Sequence, residues 1–252
     1  MTPSKGRQAK AWLQTLPALP KAAEKILRAL QDEHASWRST AAALEEDAVI
    51  TLRVLSLANS PFYGAAGRVH SAGDAIQILG LSTLTGIVLA SALRPPTLCT
   101  ETSPVDVESF WRQGLHTAQL ARFMASAADL DGDLSYLAAV LYKTGQLLHL
   151  TLPANAGLDE QDQNAPTLAA LAGEHWGLPP PVVQVLRDLA GVLDDAELGG
   201  EPSPARVICW AASLLDLPPQ EVAETHPTVL AIAQALSLSP ATLVQQLKAG
   251  DG

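Results

Sequence analysis

Six histidines and two cysteines are the residues of this chain best suited to hold a metal ion or shuttle a proton, yet their spacing fits neither task. His34, His70, His116, His149, His175 and His226 form no H-x-x-x-H or H-E-x-x-H pattern, the spacings that set two imidazoles on one helix face around zinc. They read as single, hydrogen-bonded or solvated side chains. Cys99 and Cys209 stand far apart with no C-x-x-C, and read as reduced thiols of a protein core. Glu174-His175 is an acid–base pair only on paper, because adjacent helical residues point in different directions, and Trp176 beside them reads as a packing residue. No G-x-S-x-G elbow, phosphate-binding loop or G-x-G-x-x-G occurs.

The elements that carry these residues are helices. Ala23, Ile26, Leu27 and Leu30 share one face of a helix near 21–30, and Ser36 caps a second that runs to about Glu46. Asp47 caps a third, with Val49, Leu52, Leu55 and Ala58 on one broad face. Asn59-Ser60-Pro61 stops that helix, Gly64 and Gly67 allow a sharp loop, and Ser71 with Asp74 forms a capping box for the next. Gly80 sits where a helix-ending glycine belongs. After a linker at 95–103, Ser103-Pro104 opens a long helix reaching about Ala128. Tyr136 to Leu150 is apolar enough for burial on most sides, with Gly145 as a candidate break. A polar loop at 153–165 precedes helices near 166–175, 179–190 and 203–215, with a Gly- and Asp-rich loop at 191–201. Short helices open at Pro218, His226-Pro227 and Ser239-Pro240. No stretch alternates as a strand does, so the fold class is all-α.

Composition narrows the partners. Hydrophobic residues make up 48% and charged ones 17%, which suits a packed globule, while 4% aromatics leaves Ala and Leu to fill the core. A chain of 252 residues can bury a large core, as one helical domain or two abutting lobes. The formal charge of −10 argues against a phosphate-dominated DNA surface. A helix-turn-helix at 36–59 fails on the same ground, since Arg53 is the only cation from Thr40 to Asn59, against Glu45, Glu46 and Asp47. The N-terminal stretch is basic without an apolar core, and Leu84–Leu93 is too short to span a bilayer, so a cytoplasmic protein without a membrane partner is expected.

Several segments resemble one family in order and spacing. L-x-L-A-N-S-x-F-Y-G (Leu55–Gly64) followed by A-I-x-x-L-G-L-x-x-L (Ala75–Leu84) is similar to the core of the HDOD, or HD-related output domain, family. Leu16-Pro17-Ala18-Leu19-Pro20, Phe110-Trp111 and Trp176-Gly177-Leu178-Pro179 resemble its other landmarks, so that the likeness spans roughly 16–215. The resemblance implies a two-lobed helical bundle related to the HD metal phosphohydrolases. It divides the chain into a tail (1–15), an N-terminal lobe (about 16–94), an HD-like lobe (about 103–215) and a helical extension (216–252).

HD phosphohydrolases hold their ion with an early His, an adjacent His-Asp pair and a late Asp, and the ion activates water. Aligned on the resemblance, those positions read Gln113, Tyr142-Lys143, and Ala211 or Ala212, with His116 and Asp216 about a turn beyond. The resemblance therefore implies a non-catalytic bacterial signalling module. It would regulate by binding a protein partner, with no cofactor, no metal and no nucleic acid. The alternative is a degenerate phosphohydrolase, or a sensor that takes a small nucleotide in a remnant pocket of Gln113, His116, Tyr142, Lys143 and Arg206, with Arg112 as a further neighbour. Asn59, Ser60, Phe62 and Tyr63 form the other candidate site. In one reading the aromatics are exposed for a partner; in the other, Asn59 caps its helix and they pin the loop to the core. The second is favoured.

Overall fold

Backbone N–H groups at a helix start have no partner within the helix, and this chain supplies one by side chain at nearly every start. The structure is a computed structural model that describes residues 21–31, 36–59, 68–92, 107–150, 163–194 and 200–249, together with Leu16, Leu19, Leu152 and Leu158. Eleven α-helices are found among the described residues, with no strand. They are α1 (Lys21–Gln31), α2 (Trp37–Glu45), α3 (Ala48–Ala58), α4 (Ala72–Ala92), α5 (Val107–Ala127) and α6 (Gly132–Leu150). Then follow α7 (Ala165–His175), α8 (Pro180–Asp194), α9 (Pro204–Leu215), a 3-10 turn at Pro219–Glu221, α10 (Pro227–Ala235) and α11 (Pro240–Ala249). Ser36 accepts the Arg38 N–H at 3.2 Å and Asp47 the Ile50 N–H at 3.1 Å. Asn164 accepts from Thr167 at 2.9 Å and Ser203 from Arg206 at 3.2 Å. Ser71 accepts the Asp74 N–H at 3.1 Å, and the hydrogen bond between the two side chains holds the Asp74 carboxyl below its usual range.

Two glycines do different work. Gly80, at φ 75° and ψ 163°, sits in a backbone region open to glycine alone and breaks α4 into two pieces. The stretch Ala72–Leu89 is long and apolar enough to cross a membrane, but it is bent at this residue and 61% of it is buried within the fold. Gly145, read from sequence as a candidate break, lies instead inside an unbroken α6. A Cβ there would stand 2.0 Å from the carbonyl oxygen of Ala165, so the glycine serves the close seating of α7 on α6. A second difference lies in α8, which runs on to Asp194 past the expected end near 190, with Val192 packed on the core.

Helix α6 is the centre of the molecule. It packs against α4, α5, α7, α8 and α9, and every residue from Ser135 to Gly145 is buried. A helix that is apolar all round has to be wrapped in this way. Helices α1, α2 and α3 pack on α4, which in turn packs on α6. A single apolar cluster runs from Leu19 and Ile26 through α6 to Leu243 and Leu247. The C-terminal helices thus pack on their own chain through Val229, Ile232, Leu236 and Val244, while Leu230 stays 46% exposed.

Candidate functional site

Phe110, Gln113 and Gly114 are three and four residues apart on α5 and therefore share a face, which meets α6 at Lys143. The Lys143 stem lies in the notch that Gly114 leaves, its Cγ 2.9 Å from where a Cβ would stand. Its Nζ donates to Gln113 Oε1 at 3.4 Å and sits 5.2 Å from the centroid of the Phe110 ring, in reach of a cation–π contact. Only 8% of Lys143 is exposed. Among the described residues no carboxylate comes within ion-pair distance of it. Burial pushes the amine below the ordinary lysine range, and the negative charge of Asp216 offsets part of that shift.

Tyr142, beside it on α6, faces a cleft of about 530 Å³ bordered by Phe110, Gln146, His149, Asn164 and Pro166. Its hydroxyl accepts a hydrogen bond from Gln146 Nε2 at 3.1 Å, and burial pushes the phenol above its ordinary value, so it keeps its proton. His149 Nδ1 bonds to the carbonyl of Gln163, which can only accept; Nδ1 therefore carries the hydrogen, and Nε2 is the acceptor of the neutral ring.

Gln113 and Lys143 thus come together where α5 crosses α6, while Tyr142, next to Lys143 in sequence, faces the cleft that Phe110 also borders. His116 is buried one turn further along α5, and Arg112 is exposed. Arg206 belongs to another setting, its guanidinium packed on the backbone of Gly200 at 2.9 Å from the place of a Cβ. Half-buried Cys209 is held as a thiol by burial. Glu174 pairs with Arg187 on the surface, and Trp176 packs on the core. Among the described residues no three His, Cys, Asp or Glu side chains converge as an ion would require. Gln146 is not singled out by the sequence and His149 only as a single hydrogen-bonded or solvated side chain; the signal for both is the helical spacing of four and seven from Tyr142.

Asn59 is a clamp. Its Oδ1 accepts the Val69 N–H at 3.0 Å, while Nδ2 donates to the carbonyls of Val69 at 2.9 Å and Leu55 at 3.0 Å. The two ends of the intervening loop are thereby fixed, and Val69 is buried. Ser60, Phe62 and Tyr63 lie outside the described residues. Asn59→Ala leaves both polar groups of Val69 unsatisfied, and chemical denaturation is expected to record a loss of about 2 kcal/mol. A loss below about 0.5 kcal/mol, the range of an ordinary surface change, would contradict the clamp.

The family model described as HDOD domain matches residues 16–165, and so ends before Trp176 to Pro179. No curated protein matches the chain. Among solved structures, a proposed phosphohydrolase from Shewanella amazonensis SB2B shares 19% identity over 97% of each chain, at a TM-score of 0.66. An HDOD domain protein of unknown function from Geobacter sulfurreducens shares 20% over 97% of this chain and 94% of its own, at 0.62. A proposed signal transduction protein from Marinobacter aquaeolei VT8 shares 22% over 98% of this chain, at 0.62, and this chain spans 63% of its length. At these identities the likeness is one of fold.

Proposed function

Since the chain belongs to the HDOD domain family, we propose that it is a signalling module that works without catalysis, by offering its helical surface to a protein partner. One observation supports the reading: a buried ammonium, Lys143, lies against Gln113, and the resemblance to HD phosphohydrolases aligns both positions with metal ligands of that family. An ion held there would meet a like charge and a neutral amide, and of these only the amide oxygen is a ligand at neutral pH. The residues present do not fit a divalent cation. Signalling in this reading depends on surface complementarity alone.

The purified chain, supplied with manganese, magnesium or zinc, is expected to give no phosphodiester turnover above the blank. In affinity capture from its source cells, one defined protein is expected to co-purify equally with and without chelator. Metal-dependent turnover, or capture abolished by chelation, would overturn the proposal.

A further inference from the structure

The cleft beside Lys143 has a polarity of its own. Tyr142 is 8% exposed, and its oxygen already accepts from Gln146 Nε2, which leaves its O–H to donate. The same bond leaves Gln146 Oε1 as an acceptor a few ångströms away. One wall therefore shows a donor and an acceptor side by side. His149 adds a second acceptor through Nε2, its other nitrogen being engaged by the Gln163 carbonyl. Phe110 supplies an aromatic border, Pro166 and Leu193 are apolar, and Asn164 is a further polar residue whose Oδ1 accepts the Thr167 N–H. At about 530 Å³ the cleft lies within the range of small-molecule sites, which are apolar with a few convergent polar groups.

From this pattern we infer that the cleft binds a flat, uncharged heterocycle with a lactam edge, adjoining C=O and N–H groups of the kind a free nucleobase carries. The ligand carbonyl accepts from Tyr142, the ligand N–H donates to Gln146 Oε1, and the ring lies against Phe110. No lysine or arginine borders the cleft among the described residues, so a phosphate gains nothing there. The lowest-energy use of the wall is to satisfy both groups at once, because a ligand lacking either leaves a buried polar group unpaired. The inference is independent of how the protein meets its partner.

Calorimetric titration of the whole chain with uracil and hypoxanthine tests it, with 1,3-dimethyluracil as the control that keeps the shape and loses the N–H. A dissociation constant of about 1 mM or tighter is expected for at least one lactam, with the dimethyl control about tenfold weaker or worse. Tyr142→Phe and Gln146→Leu are each expected to weaken binding about tenfold. Circular dichroism confirms that each variant is folded, and either variant suffices where the other fails to fold. Leu230→Ala, at an exposed position of α10 away from the cleft, is expected to leave the affinity unchanged. No heat with either lactam up to about 5 mM overturns the inference, as does equal affinity for the methylated control or in both folded variants.

Discussion

Gly145→Ala is expected to destabilise the protein by about 3 kcal/mol or more, the largest loss foreseen for any single methyl group here. The added carbon falls 2.0 Å from the Ala165 carbonyl oxygen and 2.9 Å from both the Ala165 carbonyl carbon and the Ala169 Cβ. Two of those three atoms are backbone, so no side-chain rotation can relieve the clash. Either α7 lifts away from α6, or α6 bends at its most enclosed turn. Lifting α7 also strains its capped start, where Asn164 holds the Thr167 N–H. For a chain of this size the loss corresponds to a drop in Tm of about 6–12 °C. A Tm within about 2 °C of the parent would show that α7 does not seat as described.

Lys143→Glu is expected to cost about 3 kcal/mol, whereas Lys143→Met is expected to be neutral or to gain about 1–2 kcal/mol at neutral pH. Two interactions of the ammonium reverse sign for a carboxylate: the Phe110 face becomes repulsive and Asp216 changes from a favourable charge to a like one. Gln113 has to turn its amide to donate through Nε2. Methionine keeps the volume in the Gly114 notch and removes the need to bury a charge. The pH dependence follows from the direction of the shift. Lys143 titrates lower in the folded protein than its ordinary value of 10.5, so between the two values the unfolded chain binds more protons. Parent stability therefore rises with pH across that window, and burial penalises the folded state fully only below the folded value. The advantage of Lys143→Met over the parent should shrink from neutral pH toward the ordinary lysine value. An advantage that stays constant across this range in paired denaturation curves would mean that Lys143 does not titrate as a buried amine.

Much of the helical frame was legible in the sequence because the signals are local. Ser36, Asp47 and Ser71 with Asp74 act on N–H groups two or three residues away, and each does so in the structure. Gly80 was legible for the same reason, a backbone requirement met at one residue. Gly145 was not, because its reason is an oxygen twenty residues further on, and nothing near it separates a bend from a close approach. The site divides in the same way. Tyr142 and Lys143 are singled out once the segment is aligned on the resemblance, whereas the Gly114 notch and the Phe110 contact depend on how α5 crosses α6. Asn59 was legible as a helix stop, but its grip on Val69, ten positions further on, needed coordinates.

The identity of the cation at the crossing of α5 and α6 decides between a signalling module and a hydrolase. Elemental analysis of the intact chain, after incubation with manganese and iron and removal of unbound ions, measures it directly. Fewer than about 0.1 ions per chain are expected, because the position is filled by the chain's own ammonium. About one tightly held ion per chain, displaced by chelator and accompanied by phosphodiester cleavage, would contradict it.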